Sequence, residues 1–135
     1  MKVLAVETSS TVAAVAVMDH GVLLGESILN HQKTHSQKLM PMLEGLLKNL
    51  ELKPGDMDLF AASSGPGSFT GLRIGIVTVK AMAYAAGKLV IGVPTLDALA
   101  MNIPHTESLV VPILDARNNQ VYTSVYAWKG EELLN

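Results

Sequence analysis

No cysteine occurs anywhere in this chain of 135 residues. That excludes a disulfide framework, a thiolate metal site and a cysteine nucleophile. Charge is scarce too: 16% of residues are Asp, Glu, Lys or Arg, against roughly 25% in an average soluble domain. The net charge is −2, so no polybasic surface drives binding to nucleic acid or to a membrane. No apolar run approaches the ~20 residues of a membrane helix. Glu7 interrupts the N-terminal apolar stretch where a signal peptide would continue. These absences describe a soluble, cytoplasmic protein.

What is abundant is apolar. Hydrophobic residues make up 49% of the chain, which excludes intrinsic disorder and exceeds what one short domain readily buries. The length suits one ordinary domain.

Residues 2–7 (KVLAVE), 11–18 (TVAAVAVM) and 22–29 (VLLGESIL) are strand-like runs separated by Thr8-Ser9-Ser10 and Asp19-His20-Gly21. Such short connections predict an antiparallel meander. Leu39, Leu43, Leu46, Leu47 and Leu50 then recur at helical spacing, predicting an amphipathic helix over 34–50, capped by Thr34 or Ser36. Pro41 predicts a kink or a late start. A short buried strand is expected over 58–63, a helix over 70–86 closed by Gly87, a second buried strand over 89–93 and a short helix near 95–101. Residues 108–114 and 120–128 read as two strands joined by a turn over 115–119.

The expected architecture is α/β, a mixed sheet in βββαβαβα order, matching an actin-like (ribonuclease H-like, ASKHA) half-domain. Residues 1–105 form that unit. Residues 106–135 are expected to open a second, truncated subdomain.

The conspicuous loop is Ser64-Gly65-Pro66-Gly67-Ser68-Phe69-Thr70-Gly71, leading from a strand into a helix. Such a loop can present backbone N–H groups to a phosphate. It lacks the Gly-Lys-Ser/Thr ending of a Walker loop. As a structural corner, capped by Thr70, it would hold Gly65, Gly67 and Gly71 where a positive φ or crowding excludes a side chain. With Thr8, Ser9 and Ser10, the loop glycines Gly65 and Gly67 form a candidate nucleotide site of degenerate kind. His31 and His35 stand four apart, but they read as surface histidines near a helix start. A two-metal nuclease needs converging carboxylates. Glu7 ends its strand while Asp58 begins its own, so the two belong at opposite edges of the sheet, and Glu44 adds little. No base is identifiable for Ser63, Ser64 or Ser68.

Residues 3–9 (VLAVETS), 35–41 (HSQKLMP), 64–76 (SGPGSFTGLRIGI) and 92–98 (GVPTLDA) resemble the TsaB (YeaZ) family of bacterial tRNA threonylcarbamoyladenosine biosynthesis subunits. The resemblance implies an actin-like fold and a role in modifying the adenosine beside the anticodon. It implies a TsaD-type transferase paralogue and a TsaE-type ATPase subunit as partners, a homodimer when alone, and tRNA contacted only through the complex. The paralogue's His-x-x-x-His metal motif has no counterpart in Val93-Pro94-Thr95-Leu96-Asp97-Ala98-Leu99. The resemblance therefore implies a non-catalytic subunit with no cofactor or metal of its own, ATP and the metal ion belonging to the partners. The alternatives are an independent nucleotide-binding ATPase and a nuclease using Glu7. The expected association surface lies on the two long helices, at Leu39, Met40, Met42, Leu43, Leu47, Gly71, Arg73, Gly75, Val79 and Met82.

Overall fold

The computed structural model describes residues 1–30 and 35–135. Strands β1 (Lys2–Glu7), β2 (Val12–Asp19) and β3 (Val22–Asn30) form the antiparallel meander. His20 and Gly21 both take positive φ, 48° and 80°, which gives the tight hairpin turn its twist. Helix α1 (His35–Asn49) follows and runs through Pro41, whose ring lies on the exposed side. Thr34, one of the two expected caps, and His31 lie outside the described residues. After a 3-10 turn at Pro54–Asp56 the chain enters β4 (Leu59–Gly65), α2 (Phe69–Ala86), β5 (Leu89–Pro94) and α3 (Thr95–Ala100).

The sheet order is β3-β2-β1-β4-β5, with β1, β4 and β5 mutually parallel. Strand alternation sends Leu4, Val6, Val15, Val17, Phe60 and Ala62 to the face covered by α1 and α2, where they pack with Leu39, Leu43, Leu46, Leu47 and Val79. Both helices offer the sheet one apolar stripe, and that stripe makes the core.

The structure corrects three expectations. Strand β5 is an open edge rather than a buried strand: among the described residues no strand pairs with its outer side, and Leu89 is 76% exposed. Helix α2 is capped by Ser68, whose side chain accepts from Gly71 N at 3.2 Å, so Thr70 is not the cap. The C-terminal segment forms two small hairpins instead of one: β6 (Ile113–Arg117) with β7 (Gln120–Thr123), and β8 (Ala127–Lys129) with β9 (Glu132–Leu134). Arg117, Asn118 and Asn119 all take positive φ, which confines the first turn to fewer residues than expected. A bridge between Val110 and Tyr126 ties the segment together. Leu96 and Ala100 of α3 join Val110 and Tyr126 in a second apolar cluster, which thus draws on both sides of the boundary expected at 105/106.

Candidate functional site

The parallel strands β1 and β4 end side by side, and the loop into α2 closes over them. Val6 is in register with Ala62, which brings Glu7 beside Ser63. Ser63 Oγ donates to Glu7 Oε2, and the Ser9 backbone N–H donates to Glu7 Oε1. Both carboxylate oxygens are therefore engaged. Asp58 is at the other end of the sheet, accepting from Lys2 N at 2.7 Å.

Thr8 and Ser9 are buried, at 2% and 4% exposure. Thr8 Oγ1 donates to the Gly71 carbonyl at 2.8 Å, and Ser68 N donates to the Ser9 carbonyl at 2.6 Å. A Cβ at Gly67 would collide with the Ser9 carbonyl, one at Gly71 with the Thr8 carbonyl, and one at Gly75 with the Thr8 hydroxyl. Gly65 takes φ 105°, where a side chain is strained. The glycines are needed for this contact: the loop and the first turns of α2 lie directly on the end of β1. Ser10 turns away, its hydroxyl accepting from Val12 N at 3.2 Å to start β2. His35 Nε2 lies 2.7 Å from the Ser10 carbonyl, so that nitrogen carries the proton and donates.

The five candidate nucleotide residues are thus gathered at the ends of β1 and β4, but the arrangement does not fit a polyphosphate. The Thr8 hydroxyl and the Ser9 amide are bonded within the chain, Ser68 fills the cap of α2, and Glu7 adds a negative charge. Among the described residues no three His, Asp or Glu side chains converge to hold a metal ion. Two features escaped the sequence reading. Ser63, left without a base there, meets Glu7 across 56 residues of chain, a contact only strand register creates. Thr95 is 2% exposed with its hydroxyl unpartnered among the described residues, and no sequence signal marks it.

The expected association surface divides in two. Leu39, Leu43 and Leu47 are core residues, and Gly71, Gly75 and Val79 are buried facing the chain's own sheet. This corrects their assignment: the low profile of α2 serves β1, not a second helix. Met42 and Met82 are half-buried against the same core. Met40 and Arg73 remain outside. On the outer side of α2, Phe69, Arg73, Val77 and Tyr84 share one face, with the Arg73 guanidinium 5.2 Å from the Phe69 ring centroid.

A second polar contact lies in the C-terminal cluster. Tyr126 OH donates to Asp97 Oδ1 at 2.6 Å. Burial, and next the hydrogen bond and charge of Asp97, push the phenol pKa up.

A mixed five-stranded sheet with two helices on one face and a glycine loop at the parallel strand ends defines an α/β domain, and its element order fits the actin-like class. The family model described as TsaD, tRNA N6-adenosine threonylcarbamoyltransferase, matches residues 23–135. The chain is 36% identical over 130 residues to the tRNA threonylcarbamoyladenosine biosynthesis protein TsaB of Bacillus subtilis, and 32% identical over 140 residues to the TsaB protein of Escherichia coli. These matches cover 96% and 98% of this chain but 57% and 60% of those proteins. The solved structure of YeaZ from Pseudomonas aeruginosa superposes with a TM-score of 0.85 at 30% identity, over 98% of this chain and 63% of that one. The chain belongs to the TsaB (YeaZ) family, within the wider group that the transferase model describes. It spans less than two thirds of the length of these relatives.

Proposed function

We propose that this chain acts in tRNA threonylcarbamoyladenosine formation as a non-catalytic scaffold that binds a TsaD-type transferase paralogue. The observation that carries this reading is the outer face of α2. Phe69, Val77 and Tyr84 are 74%, 64% and 90% exposed on a helix whose opposite side is locked to the sheet, and Met40 of α1 adds a 51% exposed methionine. Apolar groups of this size on one helix face suit an interface, and methionine adapts to more than one neighbour. The same surface would pair two copies when the transferase is absent. A TsaE-type ATPase subunit would join the assembly, and tRNA would be met through it. ATP and the metal ion would be held by the partners, since Thr8, Ser9 and Glu7 spend their polar atoms on one another and on α2.

The test is Val77→Glu with Tyr84→Ala, followed by sedimentation, pull-down of the transferase subunit and reconstituted tRNA modification. Neither side chain is in the core, so the variant should melt as the parent does while losing both association and support of modification. A variant that still binds the transferase and supports modification in full would overturn the reading. So would ATP hydrolysis or threonylcarbamoyl transfer by the isolated, pure protein.

A further inference from the structure

The two edges of the sheet are built differently. Edge strand β3 carries a register shift opposite Val17 and Met18, a glycine at 25 and a charge at Glu26, features that discourage pairing with another chain. Edge strand β5 has a glycine of its own, Gly92, but no charge, and its register with β4 is regular from Leu89 to Val93: its sequence is Leu-Val-Ile-Gly-Val, and only Pro94 ends it. Leu89, Val90 and Ile91 are 76%, 38% and 46% exposed. Beside it lies a groove of about 220 Å³, floored by Ala62, Ser64, Val90 and Gly92 and walled by Ile76 and Lys80 of α2. Lys80 is exposed and makes no ion pair among the described residues.

We propose that β5 receives an extended segment of a partner protein, added as a sixth strand, with alternate aliphatic side chains and a carboxylate facing Lys80. An unpaired strand edge supplies main-chain hydrogen bonds, and the side pocket supplies choice of sequence. The groove is apolar and shallow where the strand's side chains would enter, and its one charge is positive, so the complementary residue is Asp or Glu. Charge also disfavours a second copy in this position. Antiparallel pairing of two β5 strands about a two-fold axis normal to the sheet would put both α2 helices, and both Lys80 ammonium groups, on the same face.

The probes are three nine-residue peptides of alternating valine and threonine. One has a central glutamate, one a central lysine, and one carries the glutamate with two prolines. With isotope-labelled protein, the glutamate peptide should shift the amide resonances of residues 89–93, and the proline peptide should not bind. Lys80→Glu should weaken the glutamate peptide about two- to fivefold and strengthen the lysine peptide by a similar factor, the size of an exposed ion pair. Lys80→Gln gives the same loss without charge reversal, which guards against a misfolded first variant. Shifts that map elsewhere, or affinities indifferent to both substitutions, would overturn the proposal. So would self-association that Ile91→Lys abolishes, because a second copy would then fill the edge.

Discussion

The Thr8 hydroxyl donates to the Gly71 carbonyl at 2.8 Å, and Gly75, one turn further along α2, has no side chain to collide with that hydroxyl. One side chain thus joins the residue just past β1 to the first turn of the helix. The spacing of Gly71 and Gly75 is a consequence of that single threonine and its carbonyl.

Gly75→Ala should therefore cost about 1–3 kcal/mol in urea unfolding, the range for overpacking a filled site. Because the clash is with the Thr8 hydroxyl, Thr8→Ala should recover part of the loss in the double variant. Gly71→Ala meets the Thr8 carbonyl instead, and Thr8→Ala should not recover it. Equal rescue at both positions would contradict the geometry.

Removing the Ser63 hydroxyl leaves one oxygen of the Glu7 carboxylate without its protein donor. Glu7 is only partly buried, so water replaces some of what is lost. Ser63→Ala should cost about 1–2 kcal/mol, toward the lower part of the range for a charge-assisted bond. Chemical denaturation measures it, and no change would mean that the contact is not formed in solution.

The raised pKa of Tyr126 makes stability depend on alkaline pH. The neutral phenol is favoured in the folded state, so this contribution is complete below the ordinary tyrosine pKa and is lost as pH rises through the raised value. Asp97→Asn removes the neighbouring charge and should bring the Tyr126 pKa part of the way back, leaving the effect of burial. Ring-carbon resonances followed over alkaline pH would show it.

At the β2–β3 hairpin, partial burial pushes the Asp19 carboxyl upward, but the hydrogen bond and charge of His20, then Lys2 and the N-terminal ammonium, outweigh it and hold the pKa low. A depressed carboxylate contributes stability above its unfolded pKa and loses it as pH falls through the folded value. His20→Ala should raise the Asp19 pKa toward the ordinary range. A carboxyl titration by nuclear magnetic resonance that leaves Asp19 unmoved would refute this coupling.

Local rules were enough for the elements up to α3, though not for the two C-terminal hairpins. The strand runs, the leucine stripe of α1, the αL glycine at 87 and the Asp19-His20-Gly21 turn could all be read from short windows, because backbone propensity and side-chain period act over a few residues. The crowding at Gly67 and Gly71 was legible as well, as the need for a residue without a side chain.

Which surface each residue faces was legible only in part. Met40 falls outside the leucine stripe of α1 and Leu43 within it, so that pair could be told apart, but Val77 and Val79 look alike on α2, and one is exposed while the other is core. Strand β5 reads as buried from its sequence and is an open edge in the sheet, since an apolar run says nothing about how many neighbours it will have. The contact of Ser63 with Glu7 depends on parallel register between strands 56 residues apart. Up to residue 101 the sequence alone determined what each segment becomes. Only packing decided which groups meet, because register and helix docking are set by the sum of distant contacts and not by any one window.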